Sequence, residues 1–371
     1  MFRLRATIFI FIFFLSGNQV FSQLTSEAQI DTGRIDGAIY RIVIPENWNH
    51  NLVMYAHGYE SPSMVHTPER FHNPVADRSV QPFLDRGFAV ARSAYRKTGF
   101  ALAEGVEDTE ALRQYFVNTY GQPDTTYITG HSMGGGITLA TIENFPQYYQ
   151  GALPMCPLAS RPYMQVKVAF DINAVFGAFY PGVLPPLADV LNGTAPSLSQ
   201  AAIQQAVQQD TALADQIARR FEYQRKDLAM IVMFNDGVLR DIGQQAGGNP
   251  FDNRNTLYTG FPDDWELNQK VERLAVDPGT EWFLNQYDRT GKINRPVLIL
   301  HTIYDQLISA TMAVVNYDNR VHETDSDQYL VVLYTPGQGH CQFTPEETGI
   351  AFDILRRWAA TGNRPVSGPI E

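Results

Sequence analysis

Cysteine is scarce in this chain of 371 residues, where Cys156 and Cys341 are the whole supply. Two thiols exclude a disulfide-dense scaffold and any four-cysteine metal site, and leave room for one bridge. Basic residues are also few. Lys and Arg number 28 against 39 Asp and Glu, a formal net charge of −11, and with no basic patch to offset it a phosphate backbone would be repelled. Charged residues make up 18% and hydrophobic ones 44%, too apolar a balance for a disordered chain. Three signatures are missing as well: G-x-x-x-x-G-K, G-x-G-x-x-G after a strand, and H-E-x-x-H. Phosphate cradling, dinucleotide binding and zinc proteolysis therefore have no motif to rest on. No metal, no cofactor and no nucleic-acid partner is expected.

Long apolar runs are absent except at the start. Arg3 and Arg5 precede Ala6 to Leu15 (ATIFIFIFFL), and a short polar stretch with small residues follows to Gln23. This is the three-part plan of a secretory signal peptide, with cleavage expected after Ser22. The run is about half of the roughly 20 residues that span a bilayer, so export is expected rather than a stable membrane anchor. An exported chain is secreted or periplasmic, in an oxidising space where two cysteines can pair.

Beyond residue 22, short β-rich runs alternate with helical segments, the pattern of a mostly parallel sheet covered on both faces. Strands are expected at Tyr40 to Ile44, Leu52 to Ala56, Phe88 to Ala94, Thr125 to Thr129, Ala152 to Met155, Val297 to His301 and Tyr329 to Tyr334. Helices are expected at Glu107 to Tyr120, Ile137 to Asn144 and Pro345 to Trp358. From Pro157 to Lys292 the β signal disappears, and a structureless connection of that length is implausible in a compact domain. The expected organisation is a signal peptide over 1–22, an α/β core over 23–156 and 293–371, and an inserted helical cap over 157–292.

Gly130-His131-Ser132-Met133-Gly134 is a G-x-S-x-G sequence where a β run hands over to a helix. A nucleophile on a sharp strand-to-helix turn needs neighbours two before and two after that are nearly without side chains, and the first amides of the helix can face an oxyanion. Ser132 is the candidate nucleophile. The segment Gly130 to Gly136 is read as a glycine-rich turn into the helix at Ile137. A serine hydroxyl needs a base, and eight histidines are available. His50, His66, His72, His131, His301 and His322 are set aside by position, whereas His340 sits in a glycine-lined loop after the last strand. The orienting acid belongs in the loop after the preceding strand, where Asp305 is the sole carboxylate between His301 and Ile308, with helix capping as its other role. His57-Gly58-Tyr59 follows the strand at Leu52, so the Tyr59 and Met133 amides are the candidate oxyanion hole, each worth about 3 kcal/mol. His57 is read as a support beneath that hole. Arg96 and Lys97 could meet an anionic substrate or simply be solvated.

His57-Gly58-Tyr59, Gly130 to Gly134, Asp305 and His340, in that order, resemble the α/β-hydrolase superfamily from Ile39 to Trp358. The resemblance implies an eight-stranded, mostly parallel sheet with helices on both faces and a helical cap after strand six. PENWNHNLVMYAHGY, GALPMC and GHCQF look most like secreted bacterial serine esterases akin to feruloyl esterases and tannases. The tannase group places one cysteine beside its nucleophile and one beside its histidine. Here Cys341 keeps the second place, His131 and Met133 flank Ser132, and Cys156 instead ends the following strand. A Cys156–Cys341 bridge would fasten the His340 loop to the sheet edge, with two buried thiols as the alternative. The expectation is an exported serine hydrolase that cleaves a small-molecule carboxylic ester, with phenolic or aromatic esters in view through Tyr59, Tyr95 and the stretch Phe170 to Pro186. A prolyl-type serine exopeptidase and a non-catalytic binding protein on the same fold stay open as alternatives, and so does the oligomeric state.

Overall fold

The computed structural model describes residues 28–64, 67–71 and 78–370. The expected signal segment, as well as His66 and His72, lies outside the described residues. Nine strands form one sheet: β1 Gln29–Ile35, β2 Ala38–Ile44, β3 Leu52–Ala56, β4 Ala89–Ser93, β5 Thr126–His131, β6 Gly151–Met155, β7 Val297–Tyr304, β8 Leu330–Gln338 and β9 Gly368–Pro369. Their order is β1-β2-β4-β3-β5-β6-β7-β8-β9, with β1, β2 and β4 pairing antiparallel and the rest parallel. The resemblance implies eight strands, and seven are located in the sequence; the two beyond those seven are edge elements: β1 (QIDTGRI) lies largely exposed, and β9 has two residues.

The sheet interior is dictated by alternation within apolar runs, since strands covered on both faces bury every residue. β2, β3, β4 and β6 are buried throughout. One face carries Met54, Ile128, Ala152 and Ile299 against the helices α1 (Leu102–Tyr120), α2 (Met133–Asn144) and, further along the chain, Asn316–Glu323. The opposite face carries Val53, Tyr55, Leu153 and Leu300 against Phe352 and Leu355 of the last helix, Pro345–Thr361. Thr344 caps that last helix reciprocally with Glu347, a capping box.

Between β6 and β7 the described chain is helical. The longest pieces are α3 (Pro162–Phe179), α4 (Gln200–Gln209), α5 (Thr211–Arg220) and α6 (Arg225–Ala246). They share an apolar core that includes Phe170, Phe176, Ile217, Leu228 and Val232 and that continues onto Met133 and Ile137 of α2. Residues 247–263 carry no helix or strand; the buried Asn249 and Asn253 side chains bond the backbone of Phe251, Ala275, Glu272 and Leu274 and so satisfy that segment. Among the described residues no helix is long and apolar enough to cross a membrane.

Candidate active site

Ser132 is the single residue between β5 and α2, with φ 59° and ψ −122°. That backbone is sterically costly for a residue with a Cβ, and its surroundings over-determine it. The Ser132 amide donates to Met155 O at 3.0 Å, and its carbonyl accepts from Gly136 and Leu158 at 3.1 and 3.0 Å. A Cβ at Gly130 or Gly134 would press into the Ala56 carbonyl oxygen. Gly134, Gly135 and Gly136 belong to α2 rather than to a turn. Their poor helix propensity is overridden because β3 and the chain after β6 approach too closely for side chains.

The loop after β3 meets Ser132 from the side. β3 and β5 pair in parallel as far as Ala56 and Gly130, so His57 to Tyr59 and His131 to Met133 leave the same edge together. A Cβ on Gly58 would lie 3.3 Å from Ser132 Cβ. His57 Nδ1 bonds the Gly58 carbonyl at 2.8 Å, its ring stacks on Tyr95 at 4.0 Å, and Tyr95 Oη donates to His57 O at 3.1 Å. His57 is therefore a support for this loop. The Tyr59 hydroxyl faces the Asp241 carboxylate of α6.

Asp305 and His340 are brought together by strand register. Tyr304 of β7 is paired with Gln338 of β8, and the two side chains emerge one and two residues further on. Asp305 Oδ2 lies 2.7 Å from His340 Nδ1, while Oδ1 accepts the amides of Leu307 and Ile308 at 2.8 Å each. The carboxylate thus orients the imidazole and caps a turn at once. Burial pushes its pKa up, but the His340 hydrogen bond and charge and the two amides outweigh that and hold it below the ordinary carboxylate value. The His340 amide donates to Gln306 Oε1 at 2.6 Å.

Cys156 and Cys341 form a disulfide across a sequence separation of 185, with Cα atoms 5.4 Å apart. Cys156 continues β6, its amide bonded to Leu300 O at 2.8 Å. His340 Nε2 lies 3.5 Å from Cys341 Sγ, and among the described residues no hydrogen bond joins it to Ser132. Cys156, His340 and Cys341 also form the sole cluster of three potential metal donors among the described residues; with both sulfurs in the disulfide it offers no thiolate to a metal.

Other histidines occupy different environments. His131 Nδ1 lies 2.9 Å from Tyr55 Oη, and burial, assisted by the nearby His340, lowers its pKa to about 4. His301 is buried and bonded to Thr302 O at 2.8 Å, whereas the exposed His322 pairs with Asp327. Arg96 is held by Glu107 and Asp108 and Lys97 by Glu104, all on α1.

Ser132, Met133 and Tyr59 line one cavity. Its other walls are Gln165, Val166 and Ala169 on one face of α3, and Phe234, Asn235 and Val238 on one face of α6. Phe100, Leu158, Leu307 and Ile308 close it. The described lining carries no ionised side chain, and Gln165 presents a buried Oε1 without a hydrogen-bond partner. Tyr95 and Phe170 are buried in packing, and no residue from Phe170 to Pro186 lines the cavity. Sequence composition pointed to the wrong stretch; the signal that locates the walls is an i, i+1, i+4 set on each of α3 and α6.

A mostly parallel sheet with a serine on its central strand-to-helix turn, and an Asp–His pair whose members follow the strands two and three places away, defines an α/β-hydrolase. The chain belongs to the Tannase-like family of unknown function (DUF6351), which matches residues 35–258. It is 22% identical to a protein called o-phthalyl amidase from Xanthobacter agilis, over 90% of this chain and 88% of that one. Feruloyl esterase B from Aspergillus oryzae superposes with a TM-score of 0.51 at 15% identity, covering 91% of this chain and 80% of that one. An esterase from Pyrococcus furiosus gives 0.48 at 13% identity, with 90% and 92% covered. The Aspergillus structure shares the fold.

Proposed function

We propose that the protein is an exported serine hydrolase that cleaves carboxylic esters through an acyl-enzyme. Ser132 Oγ attacks the ester carbonyl, His340 takes the proton and returns it to the leaving alcohol, Asp305 holds the imidazole, and the Tyr59 and Met133 amides receive the negative charge. Water then repeats the sequence on the acyl-enzyme. No metal or cofactor enters these steps. The observation that carries this reading is Ser132 at a strained strand-to-helix turn on the wall of a cavity, with an Asp305–His340 pair on the same sheet edge. His340 Nε2 must reach Ser132 for the transfer, a contact that commonly tightens only when substrate binds.

The uncharged lining favours a neutral, partly aromatic acyl group over an ionised one, since an unpaired charge in such a pocket would be costly. The described lining also offers no carboxylate for a free amino terminus, which disfavours the exopeptidase reading. The Xanthobacter relative's name points to aromatic amides as a second substrate class for this site. The Cys156–Cys341 bridge and the Arg-led apolar start support export. The partner proposed is a small-molecule ester, with no nucleic acid. Parallel assays of p-nitrophenyl esters, aryl amides and a proline arylamide, with wild type and Ser132→Ala, test the proposal. Ester turnover that exceeds amide turnover and disappears in Ser132→Ala is expected; faster turnover of the proline arylamide would replace the reading.

A further inference from the structure

Asp241 is a buried carboxylate on α6, and its two described hydrogen-bond donors are neutral. Phe100 N–H donates to Oδ2 at 2.6 Å and Gln245 Nε2 to Oδ1 at 2.9 Å, and the Tyr59 hydroxyl faces the same carboxylate. Three cations share its groove: Arg96 and Lys97 are engaged by acids of α1, and Arg34 donates to Gly37 O at 3.1 Å. A buried acid held this way costs free energy, so the groups it grips are informative. Two of them come from loops that wall the Ser132 cavity: Tyr59 after β3 and Phe100 after β4.

Those loops are themselves paired. Gly99 N–H donates to Glu60 O at 2.9 Å in an isolated antiparallel bridge. Gly99 has φ +80°, and any Cβ there would collide with the Asp241 carboxylate, so the loop is shaped to admit that group. One carboxylate from the segment between β6 and β7 therefore locks a two-loop ladder whose Gly58–Tyr59 limb lies against Ser132. At the other end of α6, Asp227 accepts from Tyr304 Oη at 2.7 Å, beside Asp305. The helix is tied to loops on both sides of β5.

We propose that Asp241 is a positioning residue for ester hydrolysis, holding the Tyr59 amide at the oxyanion site through the Tyr59 hydroxyl and the Phe100 amide. This rests on the reading that Ser132 is the nucleophile and Tyr59 N–H an oxyanion donor. Seating of α6 then sets the competence of the oxyanion site as well as the walls of the pocket.

The test compares Asp241→Asn, Tyr59→Phe and the double variant, each normalised to sites titrated with a fluorophosphonate. Asparagine presents one acceptor oxygen where two donors and the Tyr59 hydroxyl converge, and Tyr59→Phe removes that hydroxyl while leaving the backbone amide. The expected result is a kcat lower by about tenfold to a hundredfold in each single variant, with KM within about twofold. Inhibition by a phenylboronic acid, whose tetrahedral adduct places an oxygen in the same site, should weaken in parallel with kcat. The double variant should be no slower than the worse single one, as expected for residues in one network. Asp215→Asn, at the exposed pair with Arg225, should keep the wild-type kcat. Lowered melting temperatures with unchanged kcat per site and unchanged boronate inhibition would overturn the proposal. If Asp241→Asn fails to fold, an unimpaired Tyr59→Phe overturns it alone. Retained hydrolysis in Ser132→Ala would remove the underlying reading and the proposal with it; an inactive Ser132→Ala beside fully active Asp241 and Tyr59 variants would remove the proposal only.

Discussion

Tyr304 pairs with Gln338 at the carboxyl ends of β7 and β8, and this one register places Asp305 and His340 side by side just beyond the sheet. The contact does not depend on a long loop finding its target. The Gly339 amide bonds Tyr304 O at 2.9 Å and Thr302 Oγ1 donates to Gly339 O at 3.1 Å, so both exits are pinned before either side chain is considered.

Asp305→Asn should keep the turn at Leu307 and Ile308, because one amide oxygen can still accept there, while losing the anionic partner of His340 Nδ1. Ester kcat should fall by about a thousandfold or more, with little change in melting temperature. Steady-state kinetics and thermal unfolding on the same preparation check both halves.

Stability should decline as pH falls from about 6.5 to about 4, in part through His131. Its pKa is lowered from 6.5 to about 4 in the folded protein, so between those values the unfolded chain binds a proton that the folded one refuses. That contribution is complete above pH 6.5 and is lost progressively down to pH 4, on the order of 3 kcal/mol. Urea midpoints across this window should flatten in His131→Gln relative to wild type.

Breaking the Cys156–Cys341 bridge should destabilise the protein by about 2 to 5 kcal/mol, because it closes a long loop in the unfolded chain. It should also lower kcat, since Cys341 adjoins His340. The Cys156→Ser, Cys341→Ser double variant, compared with wild type in denaturant titration and ester turnover, measures both. Equal stability of the two proteins would contradict the prediction.

Gln165→Leu removes a buried acceptor that no protein group bonds. It should leave stability unchanged or raise it slightly, and shift kcat/KM towards purely hydrocarbon acyl groups and away from acyl groups that carry a hydroxyl donor. A matched pair of p-nitrophenyl esters differing by one hydroxyl reads the shift.

What was legible in the chain, and what was not, follows from how local each cause is. The central strands show in the sequence because burial on both faces demands continuous apolar runs such as Leu52 to Ala56 and Val297 to Leu300. β1 escapes because an exposed edge strand needs no such run. α1 begins at Leu102, five residues before the expected start, since Gly105 sits within the helix where Ile137 and Tyr95 pack against its backbone. Glycines 134 to 136 lie in α2 for the same kind of reason, a tertiary approach that local propensity does not reveal. Ser132, Asp305 and His340 announce themselves by residue type, order and placement at the ends of strands. The cavity walls do not: Gln165 and Asn235 acquire their meaning only when α3 and α6 pack with those faces over Ser132.

The central claim, an acyl-enzyme at Ser132, is tested most directly by mixing the protein with excess p-nitrophenyl ester, quenching in acid within the first turnover and locating the adduct by peptide mass spectrometry. The account predicts one acyl group per chain, on the peptide that contains Ser132, and none in Ser132→Ala. An adduct on another residue, or ester hydrolysis that persists at the wild-type rate in Ser132→Ala, would contradict it.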